Sequence, residues 1–113
     1  MTASTPSPAA IKQALSELNG FATTDRLAAF LDGEGCRGRR GSTLHCPIAV
    51  WLHRRFGLAD VDAWMLTVGA QDQVRVYSPT NRRLLYQVLL PPVAVRFMVD
   101  FDRSRFPRLI QAG

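Results

Sequence analysis

The sequence predicts an α+β domain of order ααα-βββ-α. Three observations carry this expectation. Apolar residues recur at helical spacing up to Phe56, the period shortens to alternation after Gly57, and helical spacing returns after Pro91-Pro92. Strands that follow one another through short turns, with no helix between them, favour an antiparallel meander over a parallel sheet.

Ser7-Pro8 opens the first helix, with Ser as N-cap and Pro at the first helical position. Ile11, Ala14, Leu15 and Leu18 then share one face, and Asn19-Gly20 ends it. A second helix is expected from Thr23 or Thr24 to Gly33, burying Leu27, Phe30 and Leu31, with Phe21 packing back as a hydrophobic staple. An irregular stretch, 34–45, follows, flanked and interrupted by glycines at 33, 35, 38 and 41. The third helix starts at Cys46-Pro47 and stops at Gly57. Its inward stripe is Ile48, Trp51, Leu52 and Phe56, with His53, Arg54 and Arg55 toward its outer face or end.

The first strand is expected over Ala63 to Val68, the second over Gln73 to Tyr77 with Val74 and Val76 on one face, and the third over Arg83 to Leu89. Gly69-Ala70-Gln71-Asp72 and Ser78-Pro79-Thr80-Asn81 are the turns between them. Tyr77 and Tyr86 are expected as a cross-strand pair, and Trp51 and Trp64 at core positions. Pro92 opens the last helix, which buries Ala94, Phe97, Met98 and Phe101, before a short appendage from Phe106 to Ile110. Residues 1–7 read as a flexible polar tail and residues 8–113 as one domain.

With 113 residues and 47% apolar content, the chain is of ordinary single-domain size and composition. No stretch approaches the roughly 18 apolar residues of a membrane span. The first eight residues lack the basic and apolar regions of a secretory signal, so a cytoplasmic setting and no membrane partner are expected. In that reducing setting Cys36 and Cys46 are expected as free thiols.

The net charge of +5 is gathered rather than spread. Between Gly33 and Gly57 there are five arginines, Arg37, Arg39, Arg40, Arg54 and Arg55, against one acidic residue, Glu34. A clustered positive field favours phosphates, nucleic acid or an acidic protein surface. The loop could present guanidinium forks and backbone N–H groups to such an anion, with Ser42 and Thr43 leading into the next helix. Two counter-readings accompany it. Arg54 and Arg55 suit the end of a helix dipole, and a Gly/Arg stretch is also what a mobile surface connection contains. The loop is not a P-loop, because no strand precedes it and G-x4-G-K-S/T is absent. A helix-turn-helix would need a turn of about three or four residues where this chain has a long loop, so specific duplex readout is not expected, although non-specific attraction to nucleic acid remains open.

Cys46 is the candidate nucleophile. An N-cap thiol faces free N–H groups and the positive end of the helix dipole, which favour thiolate, and His45 or His53 would serve as base. Against this, a lone cysteine is usually a small hydrophobe packed in the core. No metal and no cofactor is expected: Cys36, His45, Cys46 and His53 lack the close clamp spacing of a zinc site.

Gly35-Cys36-Arg37-Gly38 and Cys46-Pro47-Ile48-Ala49-Val50-Trp51-Leu52 carry a resemblance. The stretch from Arg26 to Leu52 resembles small uncharacterised proteins of actinobacteria and their phages or mobile elements, with a G-x-R-G loop followed by C-P-I/L-A-x-Y/W-L. The tail, Pro91 through Phe101-Asp102 and Phe106-Pro107-Arg108-Leu109, is similar to the closing segment of the same proteins. The resemblance implies a shared fold and a bacterial cytoplasmic setting, and it transfers no catalytic residue.

The first functional expectation is therefore a small non-catalytic binding or regulatory protein engaging an anionic partner through the Gly/Arg loop. Two alternatives stand beside it: a cysteine-dependent enzyme or redox protein built on Cys46, and a structural subunit whose exposed apolar surface is covered by a second copy as a homodimer.

Overall fold

A computed structural model describes residues 5–69 and 72–111. The order is α1 (Pro8–Leu18), α2 (Thr24–Gly33), α3 (Pro47–Arg55), β1 (Leu66–Gly69), β2 (Gln73–Tyr77), β3 (Leu84–Leu89) and α4 (Pro92–Asp102). Short 3-10 turns at Asp60–Met65 and Pro107–Leu109 precede β1 and follow α4. This is the expected α+β arrangement.

Local chemistry accounts for the helix starts. The Ser7 hydroxyl accepts from the Ala10 amide at 3.1 Å and the Thr23 hydroxyl from the Arg26 amide at 3.2 Å. Pro occupies the first turn of α1, α3 and α4, where its missing N–H costs nothing. Helix α3 ends where Gly57 takes φ +66°, a left-handed conformation that ordinary side chains disfavour. The four apolar positions expected of α1 are all buried, as are Ala94, Phe97, Met98 and Phe101 of α4.

The sheet is an antiparallel meander of order β1-β2-β3. Its register sets Val68 opposite Val74 and Val74 opposite Val88, which places all three on the buried face. Helix α3 packs against β1, α1 against β3, and α2 against α4. One contiguous cluster joins these contacts, with Ile11, Leu27, Ile48, Leu52, Phe97 and Phe101 among its fully buried members. No helix of the described residues is long and apolar enough to cross a membrane.

Several expectations are corrected by tertiary packing. Ala63–Met65 belong to a 3-10 turn, and the first strand begins only at Leu66. A short apolar run buries its alternate residues in either conformation, so its period could not decide between them. His53 is buried, at 8% exposure, because α3 turns that side toward β1, where Nε2–H donates to the Leu66 carbonyl at 2.8 Å. Tyr86 faces Val76, and Tyr77 faces Leu84 across a bulge, so the two tyrosines are not a directly opposed pair.

Trp51 is buried, while Trp64 is half-buried with the Arg82 guanidinium 4.5 Å above its ring, a cation–π contact rather than a core position. Phe30 and Phe56 are half-buried at the core's margin. Phe21 packs on Phe30 at 5.0 Å between ring centroids, and Phe30 meets Trp51 edge-on. Of the tail expected over residues 1–7, residues 1–4 lie outside the described residues. Pro6 is buried, and its carbonyl accepts a hydrogen bond from the Tyr86 hydroxyl.

Candidate functional site

The Gly/Arg loop is tied down along its whole length. The Cys36 amide donates to Leu31 O at 2.9 Å, continuing the end of α2. Gly38 lies beside the C-terminal segment as a short parallel bridge: its amide donates to Leu109 O at 2.8 Å, and the Gln111 amide donates to Gly38 O at 2.8 Å. The Arg39 amide donates to His45 O at 2.6 Å, closing the loop on itself. Further on, the Gly41 amide donates to Asp102 Oδ1 at 3.1 Å and the Arg40 side chain donates to the Ser104 hydroxyl, both at the end of α4. The Ser42 hydroxyl accepts from the His45 amide, and Thr43 O accepts from the Val68 amide of β1. Many of the segment's backbone polar groups thus find partners on α2, α4, β1 and the C-terminal segment.

Gly38 is what permits this path. A Cβ at that position would stand 2.1 Å from His45 O and 2.7 Å from both Cys46 C and Pro47 N. All three are backbone atoms, so no side chain can swing away to make room.

The five loop and helix arginines separate into two groups. Arg54 donates to Glu34 O at 2.7 Å and approaches Cys36 Sγ, holding the loop's start against α3. Arg55 forms a two-pronged pair with Glu17 of α1. These two are committed to partners within the fold. Arg37 meets Asp32 at 3.5 Å, an exposed pair of little energetic weight. Arg39 is exposed with no charged partner among the described residues, and Arg40 touches only the neutral Ser104 hydroxyl.

The structure adds residues that sequence reasoning missed. The same bridges bring the loop against the segment that carries Arg103 and Arg108, both exposed and without an ion pair among the described residues. Three arginines within residues 103–108 were a visible signal, but nothing local showed that this segment lies against the loop. Arg105, between them, is neutralised by Asp100 at 2.6 Å and Asp25 at 3.2 Å. Beside this segment runs a groove of about 420 Å³ lined by the apolar Ala28, Ala29, Phe106, Pro107 and Leu109 and by the charged Asp32, Arg105 and Arg108.

Cys46 is the N-cap of α3, as expected, and its Sγ accepts from the Ala49 amide at 3.4 Å. The thiolate does not follow. Sγ is fully buried, and burial pushes the thiol up to about 12 against the lowering effect of the Ala49 and Ile48 amides. Removing a charge from water outweighs the helix dipole here. His45 is exposed, and burial holds His53 below the ordinary imidazole value, its main opposing influence being the Leu66 carbonyl. Cys36 is also a free, buried thiol, raised by desolvation and lowered by Arg54. Among the described residues no three His, Cys, Asp or Glu side chains gather to hold a metal ion.

Two predictions follow from this geometry. Iodoacetamide at neutral pH is expected to leave Cys46 unlabelled in the folded protein and to label it promptly in urea, read by peptide mass spectrometry. For His53, the depressed value means that the unfolded chain takes up the proton first. Stability is therefore whole above the ordinary value of 6.5 and falls as the pH drops through the folded value. Urea midpoints measured from pH 8 to pH 5 are expected to fall less in His53→Gln than in the parent.

Comparison of the chain with protein-family models, with curated proteins and with solved structures gave no match.

Proposed function

We propose that the chain is a small non-catalytic binding protein, and that the face formed by the loop and the C-terminal segment docks an acidic protein surface. The observation that carries this reading is the contact between two distant segments: Gly38 meets Leu109 and Gln111, and Arg40 meets Ser104, so the loop that carries Arg39 and Arg40 lies against the segment that carries Arg103 and Arg108, across more than sixty residues of sequence. Four guanidiniums without an ionic partner among the described residues make a positive field that complements carboxylates or phosphates. The adjacent groove favours a protein over a bare phosphate or a nucleic acid backbone. Most of its lining is apolar, and a protein segment brings an apolar side chain to fill it along with acids to meet Arg108.

A cytoplasmic setting belongs to the same proposal and is supported by two free buried thiols. Kinship with the small actinobacterial or mobile-element proteins is part of it too. The C-P-I-A-V-W-L stretch supplies both the Cys46 N-cap and the buried side of α3, features a shared fold would retain.

The test is fluorescence anisotropy with three labelled probes: an acidic peptide carrying one aromatic residue, a polyphosphate and a single-stranded oligonucleotide. The acidic peptide is expected to bind best, to weaken about tenfold between low and moderate salt, and to weaken by about as much in the double variant Arg39→Ala/Arg103→Ala. Cys46→Ala is expected to change nothing in binding. Salt-independent binding, or no binding to any of the three, would overturn the proposal, and preference for the oligonucleotide would move it to nucleic acid.

A further inference from the structure

The groove beside the loop–tail face has a neighbour. A second hollow, of about 530 Å³, lies between the start of α2 and α4, where Thr24, Val95, Arg96 and Val99 line it. Arg105 lines this hollow and also the first one, of about 420 Å³. Its guanidinium pairs with Asp25 of α2 at 3.2 Å and with Asp100 of α4 at 2.6 Å, and so ties the two walls together between the hollows. The hollows are halves of one trough, with α2 as one wall and α4 and the segment after it as the other.

Charge along the trough is already settled in the middle and unsettled in each half. Arg105 is neutralised by its two carboxylates, and Asp32, in the first hollow, meets Arg37 at 3.5 Å. That leaves Arg108 in the first hollow and Arg96 in the second, both exposed and without an ion pair among the described residues. Around them the lining is small or apolar, with Ala28, Ala29 and Phe106 in one half and Val95 and Val99 in the other. A continuous phosphate backbone fits this poorly, because it would pass Asp25, Asp32 and Asp100 as well as the two arginines. A protein segment with two apolar side chains and two separate carboxylates matches both halves.

Spacing selects the conformation of that segment. Ala22, Thr23 and Thr24 line one half, and Ala28, Ala29 and Asp32 the other, which sets the halves roughly 10 Å apart at the helical rise. A helix lying along α2 brings its residues i and i+7 to one face about 10.5 Å apart. In an extended strand, residues on one face are about 7 or about 13 Å apart, and residue i+3 points the other way.

We infer that the trough binds an acidic amphipathic helix of the partner protein, with apolar residues i and i+7 in the two hollows and carboxylates beside them on Arg96 and Arg108. This rests on the acidic-surface reading above and extends that face past Arg105 to Arg96. Residues i+3 and i+4 of the partner cross the Arg105 bridge, so small or polar side chains fit there, and bulky apolar ones would desolvate the ion pairs.

The test measures three labelled acidic peptides by fluorescence anisotropy with the intact protein. One is a stapled helix with leucines at i and i+7, one is the same helix with leucine at i alone, and one is an extended peptide with leucines two residues apart. The two-leucine helix is expected to bind about tenfold tighter than either of the others, the worth of one more buried side chain. Ala22→Phe, at an exposed position, fills the second hollow from its rim and is expected to erase the advantage of the second leucine. Arg96→Glu is expected to weaken the two-leucine helix about tenfold. Urea midpoints matching the parent's show that both variants are folded. Equal affinity of the one- and two-leucine helices, a difference that survives Ala22→Phe, or tighter binding of the extended peptide would overturn the helix inference while leaving acidic docking in place. Failure of all three peptides to bind would overturn the acidic-surface reading and the inference together.

Discussion

Gly38→Ala is expected to destabilise the protein by about 3 kcal/mol or more, among the largest effects of any single methyl group in this chain. The new carbon would sit 2.1 Å from His45 O and 2.7 Å from two further backbone atoms. Relief requires the loop to move away from the start of α3. That movement breaks the three backbone hydrogen bonds around it, from the Gly38 amide to Leu109 O, from the Gln111 amide to Gly38 O and from the Arg39 amide to His45 O. Buried amides left without partners add their own desolvation cost.

Gly33→Ala is the matched control. Nothing lies within 4 Å of its added carbon and its backbone angle is ordinary, so alanine's helix propensity should make that variant neutral or up to about 1 kcal/mol more stable. Urea denaturation of the pair measures the difference. Equal midpoints would mean that the loop does not follow the path described. Because the loop–tail bridge underlies the proposed binding face, Gly38→Ala is expected to weaken acidic-peptide binding even where enough folded protein remains to measure it.

Phe97→Ala is the second large effect, expected at about 3–5 kcal/mol as for other fully buried aromatic residues. Phe97 stacks on Phe101 at 6.0 Å within α4 and on Phe106 at 5.3 Å beyond it. The Phe106 contact clamps the segment after α4 onto the core, just ahead of the residues that bridge to Gly38. Loss of the ring therefore removes hydrophobic burial and frees the C-terminal side of the basic face together. Phe101→Ala should cost a similar amount of stability, yet it keeps the Phe97–Phe106 stack. Hydrogen exchange at the Gly38 and Gln111 amides, under conditions where both variants are folded, separates the two roles. Faster exchange is expected in Phe97→Ala than in Phe101→Ala, and equal exchange would show that the stack does not hold the tail.

Much of the architecture was legible because it is written in short-range chemistry. Ser7-Pro8 and Cys46-Pro47 mark helix starts through groups within three residues, and the helical spacing of Ala94, Phe97, Met98 and Phe101 needs only a core to face. Alternation through Val74 and Val76 likewise defined β2 and its buried face. The errors cluster where two conformations bury the same residues, as at Ala63–Met65, or where a polar side chain finds its partner on another element, as His53 does on β1. The Cys46 thiol combines both cases: its N-cap position was evident, but the burial that controls its proton comes from segments distant in sequence.

By itself, then, the sequence determined the order of elements, the helix starts, the antiparallel meander and the excess of arginine around the loop. The tertiary structure alone decided which arginines are already held by Glu34 and Glu17, and which have no ionic partner among the described residues. The physical reason is separation. Helix caps and periodicities are set by neighbours a few residues away, whereas the meeting of Gly38 with Leu109 and Gln111 depends on how the whole core brings two distant segments together, and no local pattern in either segment encodes the other.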